Sequence, residues 1–209
     1  MDYFGLEIRT EEGVYEPSED STLAWEMIQE YLSTLKMKID VLDMGTATGV
    51  LGLLCATKPN VRRVVLADIN PKAIELAKEN MERNRPLIKA ECEFYSTDLF
   101  SGIPERRKFD LMAFNAPYLR SEREGEEDEH NPWAGGKEGV ELTIRFLEGT
   151  VSRMKDGGRI IVVSSSLSNL GRLEREMSRL RLRKIAEKKK HYFFEDIVVW
   201  MLGRKSEKI

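Results

Sequence analysis

A chain of 209 residues with 33 basic and 36 acidic side chains is long enough for one domain with a real core, and its net charge of −3 does not mark a nucleic-acid binder. Two cysteines, Cys55 and Cys92, and two histidines, His130 and His191, are scattered along the chain; they form neither a disulfide framework nor a metal-ligand spacing. No apolar run approaches a membrane span, and Met1-Asp2-Tyr3-Phe4-Gly5 lacks a basic stretch followed by an apolar core, so a soluble cytoplasmic protein is expected.

In chain order, short apolar runs alternate with helical patterns, which predicts βα units around a mostly parallel sheet. A helix is expected to begin near Ser21. Residues 38–43 read as the first strand of that sheet, with a helix over 50–56 behind it, and 61–67 as the second strand. Asn70 and Pro71 are the residue types that open a helix, and Ala73, Ile74, Ala77 and Met81 keep its spacing to about Arg83. Further strands fit 90–95 and 109–114, and a helix fits 139–154. Asp156-Gly157-Gly158 reads as a turn into a buried strand over 159–163. A basic amphipathic helix over 167–179 precedes two consecutive strands, 181–190 and 192–202, predicted to form a hairpin that closes the sheet. No repeat or interdomain linker is visible, so residues 1–209 are expected to form a single domain. The acidic stretch 121–130 reads as a loop.

The segment Asp43-Met44-Gly45-Thr46-Ala47-Thr48-Gly49 joins the first sheet strand to its helix, and its glycines let the backbone turn tightly beside a ligand. It departs from the dinucleotide pattern, because Ala47 stands where a second glycine would admit a pyrophosphate. Asp43 would repel phosphates and attract an ammonium group. Asp68 ends the second strand, where a carboxylate can take both hydroxyls of a ribose, and Asp98 follows the third, placed to meet the exocyclic amine of an adenine. Acids at three successive strand ends match a ligand with an amino-acid head, a ribose and an adenine but no phosphate: S-adenosyl-L-methionine.

Asn115-Ala116-Pro117-Tyr118 directly follows the strand-like run 109–114. An amide, a rigid proline and an aromatic ring at a strand tip suit a pocket for one flat, neutral nitrogen. The Asn115 side-chain carbonyl and the Ala116 backbone carbonyl can each accept one N–H of such a group and aim its lone pair at a methyl donor. Pro117 restricts Ala116 to extended geometry, and Tyr118 can stack on the planar amide or base.

With these motifs the chain resembles class I S-adenosylmethionine-dependent methyltransferases, and among them the HemK/PrmC-type glutamine N5-methyltransferases that modify peptide-chain release factors. Val14-Tyr15-Glu16-Pro17-Ser18-Glu19-Asp20-Ser21 and Ala134-Gly135-Gly136-Lys137-Glu138-Gly139 are similar to motifs of the short archaeal and eukaryotic branch of that family. The resemblance implies an α/β, Rossmann-like fold: a mostly parallel seven-stranded sheet, helices on both faces and a C-terminal antiparallel hairpin, with residues 1–22 as a segment covering the cofactor. It implies cofactor contacts from Asp43, Gly45, Gly49, Asp68, Asp98 and Asn115, with Ser21 near the methionine end. It further implies a protein substrate, glutamine in a release factor with lysine as another acceptor, and a small zinc-binding activator subunit on an apolar sheet edge, for which Cys92-Glu93-Phe94-Tyr95 is the candidate. Two residues depart from the pattern: Ala116, where the family has proline, and Ala47, where it has glycine or serine.

Several features carry two readings. Glu16 and Asp20 either shape the cofactor entrance or cap the following helix. The acidic stretch 122–129 is either a solvated loop or a flap attractive to a basic partner, with Trp133 packing it or the core. The cations Arg172, Arg175 and Arg179, continuing to Lys188-Lys189-Lys190, are either the outer face of an amphipathic helix or an RNA-binding surface. An adenine-N6 methyltransferase acting on RNA or DNA is the alternative enzyme, disfavoured by net acidity. A cofactor-binding subunit without catalysis is the alternative of another class.

Overall fold

A computed structural model describes residues 1–118, 136–192 and 194–205. The acidic stretch, His130, Trp133, Ala134 and Gly135 lie outside these described residues.

The chain opens with two short antiparallel strands, β1 (Asp2–Tyr3) and β2 (Leu6–Glu7), then helix α1 (Glu19–Thr34). There follow β3 (Ile39–Met44), α2 (Val50–Ala56), β4 (Val61–Asp68), α3 (Pro71–Arg83), β5 (Glu91–Ser96) and β6 (Phe109–Phe114). The last part runs α4 (Glu141–Arg153), β7 (Met154–Ser165), α5 (Leu170–Arg179), β8 (Leu182–Tyr192) and β9 (Glu195–Arg204). Seven strands form one sheet in the order β5-β4-β3-β6-β7-β9-β8. The first five of these run parallel, while β9 lies antiparallel between β7 and β8. The expected fold class is therefore the observed one, hairpin included.

Alternation along the strands splits the core into two layers. Val41, Val64, Leu66, Leu111, Ala113, Ile161 and Val163 face α1, α2 and Ala77 of α3. Their neighbours Leu42, Met44, Val65, Met112, Phe114, Ile160 and Val162 face Ile144, Phe146 and Leu147 of α4 and Leu173 and Met177 of α5. All six residues of β3 are buried, as befits the strand at the chain reversal with helices on both sides. Among the described residues no helix is long and apolar enough to cross a membrane.

Local expectations hold where side chains alone decide. Asn70 caps α3 by accepting from the Lys72 amide at 3.0 Å, and Pro71 opens the helix. Several boundaries differ, among them the last strand, expected over 192–202 and observed as Glu195–Arg204. The helix expected over 139–154 begins only at Glu141. The one expected from 167 begins at Leu170, where Asn169 accepts from the Arg172 amide at 2.9 Å. Asp156-Gly157-Gly158 is no turn between elements: β7 already starts at Met154, and the pair sits in a bulge where the register against β6 jumps from Phe109↔Met154 to Leu111↔Arg159. Gly157 takes φ +75° there, which a bulge tolerates at glycine.

Candidate active site

The parallel strands end on one edge, and the predicted residues follow their spatial order: Asp98 beyond β5, Asp68 at the end of β4, Asp43 near the end of β3 and Asn115 beyond β6. The chain order reverses at β3 here, where α/β sheets open a crevice for ligands.

Asp43 is 2% exposed. Its Oδ2 accepts from Thr46 Oγ1 at 2.6 Å and from the Gly52 amide at 2.8 Å. Burial pushes its carboxyl up to about 6, against the pull of those two bonds and with help from the charge of Asp68. Burial also raises Asp68, whose oxygens accept from the amides of Ala47 (2.9 Å) and Asn70 (2.9 Å). Both carboxylates are thus held by hydroxyl and amide donors, with no ion pair among the described residues. Gly45 takes φ +63°, and a Cβ there would lie 2.8 Å from the Phe114 ring, so only glycine lets the loop lie against the end of β6. Gly49 caps α2. Ala47 has φ +49°, a left-handed geometry costing an L-residue about 1–2 kcal/mol; it points the Ala47 amide at Asp68. The departure from glycine at this position is absorbed as local strain.

Asp98 lies at the outer end of the row, half exposed, with Oδ2 on Arg145 of α4 at 2.8 Å. Sequence reasoning did not foresee that partner, which leaves the carboxylate at the rim of the crevice.

On the other side of β3, the Asn115 Nδ2 points at Ser21 Oγ at 3.4 Å, and its Oδ1 is buried without a hydrogen-bond donor among the described residues. Ala116 is 1% exposed. Tyr118 donates its hydroxyl to Asp20 Oδ2 at 3.2 Å, while its backbone carbonyl accepts from Ser168 Oγ at 2.7 Å. Burial, then the charge of Asp20, raises the Tyr118 phenol above its ordinary value, so it stays protonated. Gly139 closes this loop from behind: a Cβ on it would stand 2.3 Å from the Tyr118 oxygen. Glu138 beside it is bonded to Asn169 and Arg172. The described part of the 134–139 motif therefore buttresses the substrate loop.

The N-terminal segment packs over α3. Val14 contacts Ala73 and Leu76, and the side chain of Asn80 bonds both Arg9 N and O (2.8 and 3.0 Å) and Thr48 O (2.9 Å). Asp20 does not act as a simple cap: Ser18 is the N-cap of α1, and Asp20 instead gathers hydroxyls from Tyr15, Ser18, Ser21 and Tyr118. Glu16 is exposed.

Four of the six cations of the basic segment are ion-paired within the chain, while Lys190 lies over the Tyr192 ring. Arg172 pairs with Glu138 and Glu141, Arg179 with Glu148 and Glu176, Lys188 with Glu26 and Glu30, and Lys189 with Asp196. His191 is exposed and meets Asp196 at 2.9 Å. A cleft of about 460 Å³ lined by Arg62, Arg63, Arg106, Arg107 and Lys155 lies at the opposite end of the strands, and Asp40 and Asp110 neutralise part of it.

A pair of buried acids whose carboxyls are raised by burial fits an ammonium and a ribose rather than a phosphate; with the sheet order, this defines a class I S-adenosylmethionine-dependent methyltransferase. Residues 6–195 match the Methyltransferase small domain family. A Methanocaldococcus jannaschii protein named as a protein N5-glutamine methyltransferase is 37% identical over 166 residues, 78% of each chain. The release factor glutamine methyltransferase of Rhodopirellula baltica is 28% identical over 79% of this chain, which spans 59% of that longer protein. Among solved structures, the E. cuniculi Mtq2–Trm112 complex responsible for methylating the eRF1 termination factor superposes with a TM-score of 0.63 at 24% identity, covering 92% of this chain and 99% of that one. The chain belongs to the methyltransferase small-domain family, and within it to the HemK/PrmC-like glutamine methyltransferases.

Proposed function

We propose that this enzyme methylates the N5 nitrogen of a glutamine side chain in a protein, a translation release factor. The observation that carries the reading is the buried Asn115 Oδ1 with no donor among the described residues. An unpaired buried carbonyl costs on the order of 1–3 kcal/mol, and an arriving N–H removes that cost. The bound cofactor supplies a methyl already activated on a sulfonium. The chain's own residues do the positioning. Asp43, Asp68 and Asp98 hold the cofactor's amine, ribose and adenine in the crevice, with Gly45 and Gly49 shaping the loop and Ser21 beside the methionine end. Asn115 Oδ1 and the Ala116 carbonyl accept the two protons of a carboxamide nitrogen, while Pro117 keeps Ala116 extended and the Tyr118 ring flanks the amide plane. Accepting both protons orients the nitrogen toward the methyl and stabilises positive charge developing on it.

The names of the relatives support glutamine over the adenine-N6 alternative, and the ion pairs of Arg172, Arg179, Lys188 and Lys189 engage part of the basic segment within the chain. The partner reading is a small activator subunit, zinc-binding in the resemblance, seated on the β5 edge; the Mtq2–Trm112 neighbour supports it. Asn115→Ala is expected to lower methyl transfer to a release factor at least ~10³-fold while cofactor affinity changes little. Cofactor titration beside radiolabel transfer to release factor and to RNA checks this. Near-normal turnover removes Asn115 from the site, and transfer to RNA alone replaces glutamine by adenine.

A further inference from the structure

Asp20 is 3% exposed and touches neither the cofactor acids nor Asn115 directly, yet it takes more hydrogen bonds than any capping role requires. Its Oδ2 accepts from Tyr15 (2.7 Å) and Tyr118 (3.2 Å). Its Oδ1 accepts from Ser18 Oγ (2.8 Å), Ser21 Oγ (3.1 Å) and the Ser21 amide. Ser21 has one hydroxyl proton, and an ionised carboxylate outcompetes a neutral carbonyl for it. With that proton committed to Asp20, Ser21 Oγ can only accept from its other neighbour, the Asn115 side chain at 3.4 Å. A primary amide facing an acceptor must present its NH₂, because the flipped amide would set two lone-pair oxygens against each other. Asn115 Oδ1 is thereby turned away from Ser21, into the buried position where it has no donor among the described residues.

We propose that Asp20 is the positioning residue that polarises this site: by holding the Ser21 proton it fixes the flip of the Asn115 amide, and by holding the Tyr118 hydroxyl it fixes the neighbouring ring. The inference rests on the reading of Asn115 Oδ1 as the acceptor for the substrate N–H. Without Asp20, Ser21 is free to donate to Asn115 Oδ1, and the amide then presents two N–H groups to a substrate that also brings N–H groups. The Asp20–Ser21–Asn115 relay ties the first turn of α1 to the loop after β6, residues 94 positions apart at its longest step.

The consequence is an order of activities that a merely structural role does not produce. Ser21→Ala removes the misdirected donor together with the guide, so it should lower kcat about 5- to 10-fold. Asp20→Ala should lower kcat about 100-fold or more with KM for the acceptor changed far less. The double variant Asp20→Ala/Ser21→Ala should recover at least ~5-fold over Asp20→Ala alone, since no hydroxyl remains to trap the wrong flip. Melting curves and cofactor titration accompany each variant, with the isosteric Asp20→Asn as the second route should the alanine unfold. In enzyme labelled with [¹⁵N]asparagine, the cross-relaxation signal from the Asn115 side-chain NH₂ to the Ser21 β-protons should be strong and should weaken in Asp20→Ala or Asp20→Asn. A double variant no better than Asp20→Ala, a loss explained wholly by cofactor affinity, or an unchanged NH₂ signal overturns the proposal. Activity is measured on a release-factor glutamine peptide and on RNA. Wild-type transfer to RNA alone refutes the glutamine reading but leaves the order of variants, read on RNA, to decide on Asp20; absence of any transfer leaves the NH₂ signal to decide it.

Discussion

At the residue scale two of the three strand-end acids, Asp43 and Asp68, are raised by burial. Asp43 is the clearest, with its carboxyl raised by burial from 3.8 to about 6. An acid whose pKa is higher in the folded than in the unfolded chain favours folding fully below the unfolded value and loses that contribution as pH rises through the folded one. The cofactor-free enzyme should therefore lose about 2 kcal/mol from this group between pH 4 and pH 6. Both native bonds fall on Oδ2, so an asparagine oxygen can keep them. Asp43→Asn is expected to be about 2 kcal/mol more stable than the wild type at pH 7.5, with no advantage at pH 4, while binding the cofactor much more weakly. Urea unfolding of both proteins at the two pH values checks this; equal stabilities at pH 7.5 contradict it. Three aspartates and an asparagine at strand ends were legible from the sequence because residue type and strand order suffice to place them. The orientation of Asn115 and the hub at Asp20 were not. The first depends on a contact between residues 94 positions apart, and the link from the local hydroxyls around Asp20 to Tyr118 spans 98 positions; no local pattern records either.

At the element scale, α3 shows where legibility stops. Asn70, Pro71 and the apolar spacing gave its two ends and its buried side, since those are local matters. Asn80 lies among exposed polar residues in the sequence but is fully buried in the fold, where it clamps Arg9 and the carbonyl of Thr48 in the cofactor loop. Asn84 repeats the grip on Glu7, bonding its N and O at 2.9 Å each. The two side chains hold the N-terminal segment as a neighbouring strand would. The two-residue strands β1 and β2 are too short for any periodicity, and the β7 bulge reads as a turn because its meaning lies in the register with β6. Asn80→Ala should unpair Arg9 N, Arg9 O and Thr48 O and cost about 3 kcal/mol. It should also weaken cofactor binding, because the clamp reaches the loop that carries Gly45 and Gly49. Unfolding curves, with hydrogen exchange at the Arg9 amide, report both effects; a loss under about 1 kcal/mol would show the segment to be held by other contacts.

At the scale of the whole molecule the sheet has two edges of opposite character. The β8 edge is lined by exposed charged residues, several of them ion-paired, a composition that discourages further strand pairing. The β5 edge has no such screen on its inner side. Cys92 and Phe94 are only half covered, packing with Ile88 and Ala90 on the edge of the core, and Leu87 beside them is 45% exposed. Burial raises the Cys92 thiol to about 11, so at neutral pH it is an apolar filler rather than a reactive or metal-binding group. An open strand with an apolar flank is the surface on which a small subunit can add its own strand, and binding there stabilises the enzyme by mass action. Phe94→Lys should leave the melting temperature of the isolated chain within a few degrees, since the ring is already partly exposed, yet abolish co-purification with a co-expressed activator subunit. Hydrogen exchange along β5 should slow on complex formation in the wild type and not in the variant. A complex that survives Phe94→Lys with β5 amides still exchanging freely places the activator on another face of the sheet.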